Sequence, residues 1–185
     1  MKELVMIRHG ETDLNRAKIF AGRVDCNLTA EGLQQAKDLW HGCEQQFDAY
    51  YCSPLKRTQQ TLAALVPGVE PIIDERIIEI DLGEWENQPK HLIDAKQVAA
   101  YRIGQLTPPG GESPAEIDAR VCDFVQSMFR KYQFDERVLV VTHNGVMRAI
   151  KRLFVPDYGE IMSKNLGTIV LRKENLEYFL SRSKK

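Results

Sequence analysis

Two uninterrupted runs of apolar residues, at positions 4–7 and 138–141, end abruptly at polar residues. Strands that are buried on both faces have this pattern, which is typical of a parallel sheet covered by helices. The first run stops at RHG (8–10), and the second, one threonine later, stops at HNG (143–145). Because open α/β sheets bind ligands just beyond the carboxyl ends of their strands, both ends are candidates for a functional site.

Amphipathic segments separate these runs from shorter apolar stretches. Thr29 has the character of an N-cap for a helix whose apolar face continues to Cys43, and Ser53-Pro54 resembles a second helix start. Further helices are predicted from Ser113 or Glu112 to 132 and at 146–154, with further strands at 47–52, 69–73 and 168–171. The lysine-rich C-terminus is expected to fray. The alternation predicts an α/β fold, a three-layer α/β/α sandwich with a mostly parallel central sheet.

Length and composition narrow the functional classes. The 185 residues suit a single domain, 1–185, and the formal net charge of −1 gives no electrostatic argument for binding nucleic acid or an anionic membrane. The N-terminus lacks a signal-peptide pattern, and no apolar run reaches the length of about 18 residues that spans a membrane. The chain has four cysteines, and no pair of them has the CxxC spacing: Cys26, Cys43, Cys52 and Cys122. This favours reduced thiols in a cytoplasmic protein.

Cations and histidines meet at one edge of the sheet if the strands are parallel. Arg8 and His9 follow the first strand, and His143 follows the second apolar run. Arg57 lies in the first turns of the helix predicted after Ser53-Pro54. Such an edge, with its helix N-termini, favours an anion of phosphate size. Taken alone, each of these residues could have a structural role and not a functional one; Glu79, for example, would ordinarily be a surface charge. No HxH or HExxH spacing is present, so no metal site is expected.

Longer stretches resemble the motifs of the histidine phosphatase superfamily, also called the phosphoglycerate mutase-like family. The resemblance is carried by LVMIRHGETDLN, AGRVDCNLTAEGLQQAKDL, CSPLKRTQQTL, ERIIEIDLGEWEN, PGGES and VLVVTHNGVMRAI, in the family's order over residues 4–150. The block SPLKRTQQT is similar to the phosphatase branch of the family. This series of motifs is far more specific than an isolated RHG triplet.

The resemblance implies a role for each matched residue. His9 is the expected nucleophile that accepts the phosphoryl group, and Glu79 is the expected acid/base carboxylate. The phosphate pocket is expected to consist of Arg8, Arg57 and His143, the last as a protonated imidazole. Secondary contacts with phosphate or substrate are expected from Asn15, Gly22, Arg23 and Asn144. No cofactor or metal is required, because arginines supply the positive charge.

The implied reaction is metal-independent hydrolysis of a phosphomonoester through a phosphohistidine. The alternatives are a cofactor-dependent phosphoglycerate mutase, whose usual middle insertion this chain lacks, and a non-enzymatic phospho-ligand-binding module. The short chain and LGEWENQPKHL resemble α-ribazole phosphatases of cobalamin nucleotide-loop assembly, so α-ribazole 5′-phosphate is the expected substrate, with sugar phosphates or broad specificity as alternatives. The expected partner is thus a small phosphorylated metabolite, and a homodimer stays open.

The middle of the chain departs most from the family pattern. Leu82, Asn87 and Asn144 stand where the family often has phenylalanine, glycine and glycine. Residues 77–85 are predicted to be an extended segment that crosses the site. We expect residues 86–110 to form a small helical cap that selects the substrate.

Overall fold

A five-stranded sheet forms the centre of the computed structural model, which describes residues 1–40, 46–156 and 164–182. The strands are β1 (Glu3–Arg8), β2 (Ala49–Cys52), β3 (Ile72–Ile73), β4 (Arg137–Thr142) and β5 (Thr168–Leu171). Their order is β3-β2-β4-β1-β5, and only β5, within this described sheet, runs antiparallel to its neighbour. The prediction of a mostly parallel sheet is confirmed.

Helices cover both faces of the sheet. They are α1 (Asp13–Arg16), α2 (Ala30–Trp40), α3 (Lys56–Leu65), α4 (Ala95–Arg102), α5 (Pro114–Lys131), α6 (Asn144–Phe154) and α7 (Lys173–Arg182). Short 3₁₀ turns lie at Glu75–Ile77, Gly83–Trp85 and Lys90–Leu92. Thr29 caps α2 by accepting a hydrogen bond from the backbone N–H of Gly32 at 3.0 Å, as predicted.

Alternation of side chains along β1 divides the core into two layers. Leu4 and Met6 belong to the buried cluster that contains the apolar faces of α5 and α6. Val5 and Ile7 belong to a second cluster, on the opposite face, with α2 and α3. Successive residues of a strand point to opposite faces, so a continuous apolar run requires cover on both. The predicted three-layer sandwich is confirmed.

The register of the central strands aligns their carboxyl ends. Arg8 pairs with Thr142, and the backbone N–H of His9 donates to the Thr142 carbonyl at 2.9 Å. On the other side of β4, Cys52 pairs with Val141. The residues that follow β1, β2 and β4 therefore meet at one edge of the sheet.

Several predicted boundaries were wrong. The helix after β2 begins at Lys56 with Leu55 as its N-cap residue, so Ser53 is not the cap. The Ser53 hydroxyl instead lies 2.7 Å from Nε2 of the buried His143, a partner that local sequence could not reveal. The predicted extended segment 77–85 begins and ends in 3₁₀ turns. The lysine-rich end that was expected to fray, 183–185, lies outside the described residues. Cys43, placed on the face of the first long helix, lies outside the described residues.

Segment 86–110, the expected cap, packs beside this edge through aromatic rings. The Trp85 ring centroid lies 5.6 Å from those of Phe20 and Tyr101, and Tyr101 belongs to α4. These contacts anchor α4 to the core cluster. Within residues 1–40, 46–156 and 164–182, no helix has the length and apolarity needed to cross a membrane.

Candidate active site

His9 is a buried, neutral imidazole at the end of β1. Its Nδ1 lies 2.8 Å from the Gly10 carbonyl oxygen, which can only accept, so Nδ1 carries the proton and Nε2 does not. Burial, followed by the charges of Arg57 and Arg8, holds the pKa of His9 well below its ordinary value. The side chain lines a cavity at the sheet edge. A neutral ring with an available lone pair is the nucleophilic form of histidine.

Arg57 is fixed by a loop at the mouth of this cavity, residues 21–24, which we name the rim loop. Its Nη2 donates to the Gly22 carbonyl at 2.7 Å, and its Nη1 donates to the Val24 carbonyl at 2.8 Å. Its Nε donates to Nδ1 of His143 at 3.2 Å. The guanidinium is 1% exposed, yet it contributes to the cavity wall. Its orientation is therefore set before any anion arrives.

His143 is neutral in this arrangement, and the protonated imidazole expected for the site with bound phosphate stays a prediction. Its Nδ1 accepts from Arg57, so the Nε2 proton is the one donated to the Ser53 hydroxyl. Burial, followed by the neighbouring Arg57, holds the pKa of His143 well below its ordinary value. The ring centroids of His143 and His9 lie 5.3 Å apart. A phosphoryl dianion bound beside His143 would favour its charged form.

Glu79 is held against the first turn of α6. Its Oε1 accepts from the backbone N–H groups of Ile80 and Gly145, each at 2.9 Å. A Cβ at position 145 would overlap this carboxylate, so the contact requires glycine there. The sequence drew attention to Asn144, where a family glycine is missing. In the structure, the glycine that the carboxylate needs is the one that is kept, Gly145.

Most of the other predicted contacts lie on the cavity wall. Arg8, Asn15, Gly22 and Asn144 line the cavity together with His9, Arg57 and Glu79. Burial lowers the pKa of Arg8, whereas the Glu79 charge opposes this effect. Asn165, which sequence analysis missed, donates to the His9 carbonyl at 3.0 Å and to the Asn15 side chain at 3.1 Å. It thereby ties the loop after β1 to the chain before β5.

Arg23 is not among the residues that line the cavity. Its Nε donates to the Glu79 carbonyl at 3.1 Å, and its Nη2 donates to Glu112 at 3.3 Å. Its Nη1 lies 3.7 Å from Asp81. The structure therefore gives Arg23 partners within the protein, whereas the sequence predicted a contact with substrate.

Three further cations line the cavity, and we name Lys90, Arg102 and Arg148 the cap-side cations. Arg148 is 6% exposed, and its guanidinium carbon lies 4.3 Å from the centroid of the Tyr101 ring. Burial, then Arg8 and Arg102, lowers the pKa of Lys90. Among the described residues, no ion pair within 4 Å joins a carboxylate to any cap-side cation. Sequence analysis did not identify these residues.

The chemistry of the cavity wall is that of an anion site. In the described parts of the chain, no group of three or more His, Cys, Asp or Glu side chains is placed to hold a metal ion. The cavity volume is about 80 Å³, below that of sites for drug-sized ligands. Its wall combines a neutral imidazole, a carboxylate and several cations, a set suited to phosphoryl transfer.

Known proteins are similar to this chain in sequence. A model of the histidine phosphatase superfamily (branch 1) matches residues 4–166. Phosphoserine phosphatase 1 of Hydrogenobacter thermophilus is 34% identical over 158 residues, which cover 81% of this chain and 74% of that protein. A 2,3-bisphosphoglycerate-dependent phosphoglycerate mutase of Methylorubrum populi is 33% identical over 163 residues, which cover 80% of this chain and 76% of that protein.

Solved structures share the fold over most of its length. The mycobacterial glucosyl-3-phosphoglycerate phosphatase superposes with a TM-score of 0.79 and 27% identity, covering 91% of this chain and 89% of that one. A phosphoglycerate mutase from Thermus thermophilus superposes with a TM-score of 0.75 and 28% identity, covering 91% of this chain and 92% of that one. Hydrolases and mutases are thus both represented among the similar proteins.

Proposed function

Because the chain belongs to the histidine phosphatase superfamily, we propose that it is a metal-independent phosphomonoester hydrolase that forms a phosphohistidine at His9. One observation supports this most directly. His9, whose Nε2 is unprotonated, lines a cavity that Arg8 and Arg57 also line. A neutral nucleophile beside two fixed cations suits attack on a phosphate ester.

The reaction has two steps in this proposal. His9 Nε2 forms a bond to phosphorus as the bond between phosphorus and the ester oxygen breaks, and protonated Glu79 gives its proton to the departing alkoxide. The Glu79 carboxylate then removes a proton from water, whose oxygen attacks the phosphohistidine. Inorganic phosphate leaves, and both side chains return to their starting forms. Arg8 and Arg57 stabilise the oxygen charge in both steps.

Trapping the intermediate tests the proposal. We expect a phosphoenzyme that survives an alkaline quench and is lost in acid, and we expect His9→Ala to abolish both this species and turnover. His91→Ala, at an exposed histidine outside the cavity wall, is the control and should behave as the unmodified protein. Appreciable hydrolysis by His9→Ala would disprove the covalent route.

For the substrate, we propose a small phosphomonoester whose alcohol carries a second anionic group. The phosphoryl group itself takes Arg8 and Arg57, which leaves the three cap-side cations for another negative charge. The relatives named for phosphoserine and phosphoglycerate act on esters of this class. The competing candidate is α-ribazole 5′-phosphate, the substrate expected from the sequence, whose alcohol lacks such a group.

A substrate panel separates these candidates. It contains phosphoserine, 3-phosphoglycerate with and without 2,3-bisphosphoglycerate, α-ribazole 5′-phosphate and a neutral sugar phosphate. We expect the highest kcat/KM for hydrolysis of an acidic ester. Preference for α-ribazole 5′-phosphate would contradict the acidic-substrate proposal while leaving the hydrolase proposal intact. Isomerisation of 3-phosphoglycerate that depends on the bisphosphate and exceeds hydrolysis would instead identify a mutase.

A cytoplasmic location completes the proposal. The described cysteines Cys26, Cys52 and Cys122 are free thiols, as is usual in reducing compartments. Burial raises the pKa of Cys52 to about 12, so this thiol stays protonated. Cell fractionation followed by detection of the protein tests the location.

A further inference from the structure

The segment that carries Glu79 is held mainly by arginine side chains. Arg120 Nη1 donates to the carbonyls of Arg76 and Ile78, both at 2.8 Å. Arg23 Nε donates to the carbonyl of Glu79 itself at 3.1 Å. Two guanidinium groups therefore fix the backbone on which the acid/base carboxylate stands.

A single carboxylate orients both arginines. Glu112 accepts two hydrogen bonds from Arg120, at 2.6 and 2.8 Å, and one from Arg23 at 3.3 Å. Its backbone N–H also donates to the Asp81 carbonyl at 2.9 Å. The Glu112 side chain is 9% exposed, and buried two-pronged pairs of this kind are strong and directional.

We propose that Glu112 is a positioning residue for the acid/base step, which acts through Arg23 and Arg120 to place the Glu79 carboxyl. The inference rests on the proposed function, in which Glu79 protonates the leaving alcohol. Glu112 is not among the residues that line the cavity, so it has no direct contact with the reacting atoms. A displacement of about 1 Å at a reacting group can cost about a hundredfold in rate.

The phosphate-binding side of the site has a separate anchor. Glu86 accepts hydrogen bonds from the backbone N–H groups of Arg23 at 2.8 Å and Leu82 at 3.2 Å. This carboxylate holds the rim loop, and with it the carbonyls that orient Arg57, whether or not the Arg23 side chain is held. Loss of Glu112 should therefore impair proton donation more than phosphate binding.

Glu112→Gln tests the inference through the leaving group. An alkyl phosphate needs the general acid because its alkoxide is a poor leaving group, whereas p-nitrophenyl phosphate does not. We expect kcat/KM, which reports the steps up to departure of the alcohol, to fall by about 10- to 100-fold for the alkyl ester. For the aryl ester the loss should stay within about threefold, as expected when phosphate binding and the nucleophile are intact.

Glu3→Gln is a matched control. Glu3 is also a largely buried carboxylate that binds two arginines, Arg137 and Arg172, but it lies at the start of β1, at the other end of the strand. A comparable loss of stability is expected, with no discrimination between the two esters. Arg23→Gln, at a side chain that is 38% exposed, should fold and give a weaker form of the Glu112→Gln pattern.

Glu79→Gln, measured alongside, separates the two proposals. If it discriminates between the esters and both Glu112→Gln and Arg23→Gln do not, the positioning role is wrong and the proposed function stands. If Glu79→Gln itself affects both esters equally, its role as general acid fails, and the positioning role fails with it. If Glu112→Gln does not fold, the outcome is decided by Arg23→Gln, from its loss of kcat/KM for the alkyl ester relative to the aryl ester.

Discussion

Two groups of residues on the cavity wall are held in different ways. We name His9, Arg57 and Glu79 the inner half and the cap-side cations the outer half. In the inner half, His9, Arg57 and Glu79 each make hydrogen bonds to backbone groups of the loops and helix around them. In the outer half, Arg148 lies over the aromatic ring of Tyr101, and Lys90 lies over that of Phe20, with the Lys90 Nζ 5.5 Å from the ring centroid.

This difference separates the reaction from the choice of substrate. Hydrogen bonds to backbone fix a side chain in one orientation, and such preorganisation is what stabilises a transition state. A cation above an aromatic ring is attracted by the ring face, which carries no full negative charge to neutralise it. Changes in the inner half should therefore lower turnover of acidic and neutral esters alike, and changes in the outer half should alter the preference between acidic and neutral esters.

The largest effect is expected from Arg57→Lys. An ammonium group cannot bind Gly22, Val24 and a phosphate in the planar geometry of guanidinium. We expect kcat/KM to fall by about a thousandfold for acidic and neutral esters alike. Arg16→Lys, at an exposed arginine of α1, is the control. A loss below about tenfold would mean that the fixed orientation of Arg57 matters little.

Gly145→Ala should impair proton donation. The added Cβ occupies the space of the Glu79 carboxylate, while alanine is intrinsically favourable in a helix. We expect kcat/KM for alkyl phosphates to fall by about 10- to 100-fold, and the melting temperature to fall as well, because the added Cβ would also lie 2.8 Å from the buried Ile80 side chain. Equal losses for alkyl and aryl phosphates would contradict this effect on Glu79.

Arg148→Met tests the outer half. Loss of a charge-assisted contact should raise KM about tenfold for an acidic ester, with less than about a threefold change for a neutral sugar phosphate. Arg152→Met is the control, because Arg152 lies one turn further along α6 and binds Asp118. Equal changes for both esters would show that Arg148 does not discriminate between them.

The smallest effect concerns the stability of the inner half at acid pH. His9 and His143 stay neutral in the folded protein because their pKa values are lowered, whereas an unfolded histidine takes up a proton below a pH of about 6.5. The unfolded chain then binds more protons, so the free energy of unfolding decreases as pH falls, by up to about 2 kcal/mol per histidine near pH 5.

Thermal unfolding at pH 7 and pH 5 measures this effect. His143→Gln should reduce the shift in melting temperature between the two pH values, because one of the two histidines that resist protonation is gone. His91→Gln should leave the shift unchanged, because His91 is exposed. A full-sized shift in His143→Gln would contradict the assignment of a neutral His143.

Strand ends were the most predictable part of the molecule. The continuous apolar runs before Arg8 and His143 require burial on both faces, which fixes a covered parallel sheet and brings its carboxyl ends together. Family motifs added Arg57 and Glu79, which periodicity alone does not connect to the edge. The charge state of His143 could not be predicted, because it depends on Arg57 and Ser53, which lie far away along the chain.

The outer half was beyond sequence analysis for a related reason. Arg148 follows four residues after Asn144 on α6, a position that would be solvent-exposed or buried depending on what packs above it. What packs there is Tyr101, from a segment with weak helical periodicity. Similarly, Arg23 lies next to cavity residues in sequence, but its side chain binds Glu79 and Glu112 and does not line the cavity.

The central position of β1 has a consequence for biosynthesis. This strand is made before the other described strands, yet both of its partners, β4 and β5, come more than 120 residues later. Pairings of such sequence separation form slowly, and domains near this size expose apolar surface until they close. During translation the RHG strand therefore lacks its strand partners until β4 has been made, and the cavity that His9 lines cannot form before then.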